Sequence, residues 1–149
     1  MFKKGDLIKP STIGNIVTTE IDKLAWLYIR DSKLLSARSK SKALFYLPGG
    51  KREVGETDEQ ALIREIQEEI SVSLIPSSIH YAETFTAQAD GKEDGTRVKL
   101  TCYFAEFTGD LAPDAEIEEI AFIGYQDKHL CSLASIEVIE WLKNKNLIS

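Results

Sequence analysis

Between Gly50 and Val72 the chain reads GKREVGETDEQALIREIQEEISV and carries seven carboxylates: Glu53, Glu56, Asp58, Glu59, Glu65, Glu68 and Glu69. Three of them, Glu65, Glu68 and Glu69, fall at i, i+3 and i+4 of a segment with helical periodicity, so they project from one arc. Like charges at that spacing repel by roughly 0.2–0.5 kcal/mol per pair. A chain shaped for stability alone would intersperse lysines. A divalent cation bound on that arc gives the cluster a purpose, and an all-oxygen ligand set suits Mg²⁺ or Mn²⁺ rather than zinc.

Such a cluster must be positioned by what precedes it. Gly49, Gly50 and Gly55 form turns. Thr57 with Gln60 three residues on is a capping-box pattern, which predicts a helix beginning after Thr57. Leu62, Ile63, Ile66 and Ile70 make its apolar stripe, with the glutamates on a neighbouring arc. Arg64 lies on neither arc, and Glu56 is the carboxylate it would reach in the preceding loop.

These residues closely resemble the signature of the Nudix hydrolases. That pattern runs Gly, five residues, Glu, seven residues, Arg-Glu, an aliphatic, any residue, Glu-Glu, any residue, Gly, an aliphatic. Here the positions are Gly50, Glu56, Arg64, Glu65, Ile66, Glu68, Glu69, Ser71 and Val72, covering 23 of 149 residues. One fixed position differs: Ser71 stands where the family has a helix-ending glycine, which bears on the helix C-cap and not on the ligands.

The resemblance implies an α/β (α+β) domain, a mixed β-sheet sandwiched between helices, with the signature as a loop–helix–loop. It implies an enzyme that uses water and Mg²⁺ or Mn²⁺ to hydrolyse a nucleoside diphosphate linked to another moiety. Glu65, Glu68 and Glu69 would carry metal, joined by a backbone carbonyl at Gly49. Glu56 and Arg64 would tie loop to helix, with Arg64 also among the residues that serve catalysis. The general base is open between Glu65 and a glutamate from the segment PDAEIEEIAF. There Glu116, six residues before Phe122, matches the place where MutT-like proteins set an additional metal-binding glutamate. Glu119 is its rival, and Glu118 reads as a solvated charge. Candidate substrate contacts are Arg38, Phe85 and Phe122. Tyr81 and Tyr103 share the stacking chemistry of the two phenylalanines, although core packing is the stronger expectation for most aromatics here.

The downstream marks of the NADH, ADP-ribose and dinucleoside-polyphosphate branches are missing. This leaves a (deoxy)nucleoside triphosphate, cleaved to the monophosphate and pyrophosphate, as the expected substrate. Alternatives are ADP-ribose or another nucleoside diphosphate derivative, and a non-catalytic nucleotide-sensing module; such modules usually lose box carboxylates that this chain retains.

The rest of the sequence is consistent with one Nudix-type domain over residues 1–149, with residues 1–20 a less certain N-terminal extension. A net charge of −6 disfavours binding to a nucleic-acid backbone but not to a nucleotide, because bound cations mask the acidic field. No run approaches the ~20 apolar residues of a membrane helix, and MFKKGDLIKPSTIG has no signal-peptide core. Cys102 and Cys131 show no metal-ligand spacing and fit buried thiols. The expected setting is the cytoplasm, with a small-molecule nucleotide as partner and the protein a monomer or homodimer. His80 and His129 read as ordinary residues.

Strands are expected from Ile16-Val17 and at Leu24–Ile29, Leu34–Ala37, Leu44–Leu47, Ile79–Phe85, Val98–Phe107 and Ile117–Ile123. A loop is expected over Thr86–Arg97, and a closing amphipathic helix over Ser132–Leu142.

Overall fold

The structure is a computed structural model describing residues 8–13 and 16–149, with side chains from residue 19 onward. Ten strands and two helices form in the order β1 (Ile8–Ile13), β2 (Ile16–Leu27), β3 (Ile29–Arg30), β4 (Lys33–Ser39), β5 (Gly49–Gly50), α1 (Asp58–Ile70), β6 (Ser73–Leu74), β7 (His80–Gln88), β8 (Thr96–Phe104), β9 (Phe107–Thr108), β10 (Ile117–Ile123) and α2 (Leu133–Asn144). Short 3₁₀ turns lie at Pro76–Ser78 and Tyr125–Leu130.

The main sheet is mixed. β2 runs parallel to β8, which pairs antiparallel with β7. The other edge of β2 takes β1 opposite Ile16–Ile21 and then β5 opposite Leu24 and Ala25. A second sheet has the order β10-β4-β3. Alternation along β2 sends residues to two cores. Ala25 and Leu27 join Val98, Leu100, Cys102 and the α2 residues Val138, Ile139 and Leu142. Leu24 and Trp26 join Leu35, Ala37 and the α1 residues Ala61, Leu62, Ile66 and Ile70. Helices therefore cover the sheets from opposite sides, as an α/β/α sandwich. Trp26 is fully buried and donates its Nε1 hydrogen to Ala105 O at 3.0 Å, so the one polar atom of that ring is satisfied.

α1 starts as its sequence dictates. Thr57 Oγ1 accepts from Gln60 N at 3.2 Å and Gln60 Oε1 accepts from Thr57 N at 3.0 Å. At its other end Ser71 takes the left-handed conformation, φ 69° and ψ 15°, that glycine usually supplies. Its hydroxyl donates to Ala112 O at 3.1 Å, which offsets part of the cost of placing a Cβ there.

Four sequence expectations are corrected. Leu44–Leu47 is no strand: Phe45 and Tyr46 make single bridges to Cys131 and Ala37, two different neighbours, so no ladder extends along the segment. The loop expected over Thr86–Arg97 contracts to residues 89–95, since β7 and β8 pair as far as Gln88 and Arg97. The strand expected over Val98–Phe107 breaks after Phe104, where Ala105 turns its carbonyl to Trp26. The strand expected over Leu24–Ile29 divides: β2 is longer, 12 residues, and yields to the short β3 after Tyr28. Within the uncertain first 20 residues, β1 adds an edge strand; Met1 to Leu7 lie outside the described residues.

Candidate active site

Gly49 and Gly50, expected as a turn, instead form strand β5 on the edge of β2, and this strand lies against the carboxylate arc of α1. Gly49 N donates to Glu69 Oε1 at 3.0 Å. Its φ of 152° and the carbonyl oxygen of Leu24, 2.0 Å from where a Cβ would sit, reserve this position for glycine. At Gly50 a Cβ would fall 2.5 Å from Glu65 Oε2. The two glycines thus lie between Glu65 and Glu69, and at Gly49 the backbone of β2 leaves no room for a side chain.

Arg64 organises the charge. Its Nε and one Nη grip Glu56 in a two-pronged pair, 2.7 and 2.9 Å, while the same Nη reaches Lys51 O at 3.1 Å. The other Nη donates to Glu65 Oε1 at 2.8 Å and lies 3.5 Å from Glu68 and 3.7 Å from Glu53. Glu56 also accepts from Glu53 N at 2.7 Å. One guanidinium therefore answers four carboxylates and pins the loop onto the helix, and these contacts hold its own proton more firmly than usual. Glu65 is buried at 6% exposure, Glu69 is half-buried and Glu68 is exposed. Burial pushes the Glu69 carboxyl up to about 7, with Glu65 and Glu68 adding to the rise, while the Gly49 N–H and Lys23 act against it.

Among the described residues, no group of three His, Cys, Asp or Glu side chains is arranged as a finished metal site. The donor chemistry nevertheless fits a hard divalent cation. Glu65 and Glu69 flank the two close-packed glycines and Glu68 lies on the same arc, offering oxygens alone.

Glu116 is exposed in the turn before β10, beside the buried Ile117. Its loop docks on the end of α1: Asp114 N donates to Glu69 O at 2.9 Å and Ala112 N to Ile70 O at 3.0 Å. Arg38 binds Glu119 at 3.2 Å and Glu118 at 3.4 Å, both of which the β10 bulge brings to its guanidinium. Phe85 packs edge-on against Trp141 of α2, with ring centres 5.7 Å apart. Phe122 packs against Tyr28 and beneath Arg30. Neither aromatic lines the cavity of about 170 Å³ that opens beside Glu69 and Gly50.

That cavity reveals residues the sequence reading passed over. Lys23, Lys42, Tyr46, Ser132 and Ser135 all line it. Ser132 caps α2 by accepting from Ser135 N at 3.2 Å. Arg52 was passed over as well: it bonds Asp58 and lies 3.3 Å from Asp22, while Tyr103 donates to Asp58 at 2.6 Å. This clasp joins the signature loop and the first turn of α1 to β2 and β8. The Arg52 hydrogen bond is the largest cause holding the Asp58 carboxyl below its usual range. Burial, then Asp58, pushes Tyr103 up to about 12.

Comparison with known proteins agrees with this geometry. No curated protein gives a significant match to the chain. Among solved structures, the E. coli ORF135 protein superposes with a TM-score of 0.68 at 22% identity, covering 91% of this chain and 96% of its own. A MutT Nudix hydrolase from Burkholderia pseudomallei gives 0.61 at 22% identity, over 72% and 85%. A bifunctional NMN adenylyltransferase/ADP-ribose pyrophosphatase from Francisella tularensis, solved with AMP and a manganese ion, gives 0.62 at 19% identity, over 83% of this chain and 41% of that one. These likenesses establish the fold. The NUDIX domain profile matches residues 16–142, most of the molecule, and the chain belongs to the Nudix hydrolase family.

Proposed function

We propose that this protein hydrolyses the pyrophosphate bond of a nucleoside diphosphate derivative with Mg²⁺ or Mn²⁺, and that a (deoxy)nucleoside triphosphate, cleaved to the monophosphate and pyrophosphate, is its substrate. The observation that carries the reading is the Gly49–Gly50 strand lying between Glu65 and Glu69 beside the cavity. Retention of every box carboxylate favours catalysis over mere nucleotide sensing. The similarity to a MutT protein supports the triphosphate, and the similarity to an ADP-ribose pyrophosphatase keeps that ester as the alternative.

Glu65, Glu68 and Glu69 would hold the cation, with the Gly49 carbonyl as a further oxygen. When bound, the cation neutralises phosphate oxygens, which otherwise repel a nucleophile, and acidifies water. Arg64 keeps the glutamates and the loop in register through Glu56. Water adds its oxygen to phosphorus, the bridging P–O bond breaks, and pyrophosphate leaves. Glu116 takes the proton from that water. It is exposed on a loop docked to α1, next to Ile117 of the cavity wall, whereas Glu118 and Glu119 are engaged by Arg38 and one Glu65 oxygen already accepts from Arg64. Glu116 would also serve as an additional ligand. The cavity is smaller than the ~300–1,000 Å³ that encloses a whole small-molecule ligand, so it takes one part of the nucleotide while the rest lies outside.

Both cysteines are buried and unpaired, which suits a reducing cytoplasm. Among the described residues no helix is long and apolar enough to cross a membrane. The proposed setting is therefore cytoplasmic, with a small nucleotide as partner and the protein a monomer or homodimer.

A panel of nucleoside triphosphates, ADP-ribose and other diphosphate esters tests the reading. Phosphate release is followed with and without added pyrophosphatase for the triphosphates, and with added alkaline phosphatase for ADP-ribose and the other diphosphate esters, whose monophosphate products release phosphate only to that enzyme. Release that depends on pyrophosphatase identifies triphosphate cleavage to the monophosphate. Turnover of ADP-ribose alone would replace the substrate, and binding of nucleotides without turnover of any would leave the sensing module.

A further inference from the structure

Along the inward-facing row of β2, Ile21, Ala25 and Leu27 are buried and apolar, and Lys23 interrupts them. Ala25 and Leu27 of this row face the core under α2, and Lys23 sits in register with Leu100 of β8, while on its other edge it falls between β1, which ends opposite Ile21, and β5, which starts opposite Leu24. Taking an ammonium group out of water costs several kcal/mol unless an anion answers it. A methionine would fill the same space without that cost. Lys23 is half-buried, lines the cavity beside Gly50 and Glu69, and its charge bears on the Glu69 carboxyl.

In the metal-free protein the Glu69 carboxylate attracts Lys23. This inference rests on the metal-dependent reading above, and under that reading the balance changes. A divalent cation claims Glu69, and Lys23 then faces a like charge across a narrow cleft. An anion that arrives with the cation relieves that repulsion. Surface lysines avoid the conflict by swinging into water; a strand residue walled by Leu24, Leu100 and the two glycines has less room to do so.

We propose that Lys23 is a substrate-binding residue that donates to a phosphate oxygen of the pyrophosphate group, so that the cleft selects di- and triphosphate esters over monoanionic ligands. Lys23 lies outside the signature, and its role follows from its place in the β2 row and in the cavity wall.

The test uses the full chain as wild type, Lys23→Met and Lys23→Arg. Calorimetry measures Mn²⁺ alone and then imidodiphosphate, a non-hydrolysable pyrophosphate analogue, in the presence of Mn²⁺. Lys23→Met should bind Mn²⁺ as tightly as wild type or more tightly, because a repelling charge is gone. It should bind imidodiphosphate roughly 10- to 100-fold more weakly, the range for a lost hydrogen bond to a charged group. Lys23→Arg should recover most of the loss. In turnover, the loss should appear in KM more than in kcat. If Lys23→Met does not fold, Lys23→Gln carries the same expectations. Imidodiphosphate binding to Lys23→Met at wild-type strength overturns the proposal. So does a parallel loss of Mn²⁺ affinity, which would make Lys23 a shaper of the metal site. Wild-type protein that binds Mn²⁺ but not imidodiphosphate overturns this inference alone; wild-type protein that binds no Mn²⁺ overturns the metal-dependent reading beneath it.

Discussion

The two helices of this protein handle charge in opposite ways. α2 buries Val138, Ile139 and Leu142, and its ion pair, Glu140 with Lys128, lies half-exposed at the edge of that core beside Tyr125. It is one cation against one anion, with no like charge held beside it by the same group. α1 buries a comparable stripe but also buries Glu65, half-buries Glu69, and routes four carboxylates through Arg64. One arrangement is what stability alone produces. The other spends stability to hold repelling groups in a fixed place, and only a ligand makes that worthwhile.

The sharpest way to break this contrast is to remove one charge from α1. Glu69→Gln keeps the shape and deletes a proposed metal ligand. Turnover should fall by more than the ~10- to 100-fold typical of losing a residue that merely supports a ligand. Wild-type turnover in this variant would return α1 to the class of ordinary acidic helices.

Removing the hub should be felt in stability as well. Arg64→Ala strands Glu56 and Glu65 without their cation, which costs about 3 kcal/mol, the low end for a broken buried pair, or about 6–12 °C in melting temperature. Lys128→Ala removes a cation from the half-exposed pair on α2, where one anion and Tyr125 lose a partner, and should lower the melting temperature by much less than Arg64→Ala. Equal effects from the two substitutions would erase the distinction between the helices.

A subtler difference is expected in pH dependence. In metal-free protein the Glu69 carboxyl is raised from 4.5 to about 7, so the folded chain holds its proton more tightly than the unfolded chain. The stability this confers is complete below about 4.5 and is lost as pH rises through 7. Melting curves recorded in chelator should decline across that window in wild type, and Glu69→Gln should flatten the decline. A decline of equal depth in the variant would assign it to other groups.

The smallest effect concerns the end of α1. Ser71→Gly relieves a left-handed serine but loses the bond to Ala112 and adds freedom to the unfolded chain. The melting temperature should move little, and turnover should be unchanged. A large fall in turnover would mean that the serine hydroxyl, and not only the turn, serves the site.

The parts of this architecture that the sequence made readable are the locally determined ones. Thr57 and Gln60 cap each other within one turn, and the stripe Leu62, Ile63, Ile66, Ile70 has helical period whatever surrounds it. β2 was harder, because Thr19–Leu27 gains its pairing from β8, far away in sequence. Leu44–Leu47 has the composition of a strand but no neighbour that could pair along its length. In the site, Glu56, Arg64, Glu65 and Glu69 were legible because their spacing is fixed by one loop and one helix. The Arg38 contacts with Glu118 and Glu119 depend on a bulge in β10 that no local pattern announces. Lys23 did leave a sign, a charge in an apolar alternating row, but recognising it required knowing that β2 extends back to Ile16.

The claim that the α1 arc is a metal-dependent catalytic surface is tested most directly by chelation and restoration. Protein freed of metal by exhaustive dialysis against a chelator is assayed on its best nucleotide substrate, and Mg²⁺ or Mn²⁺ is then added back. The account predicts no turnover in the metal-free protein, recovery on addition of either ion, and no recovery in Glu69→Gln at concentrations that restore wild type. Full turnover surviving chelation would contradict it.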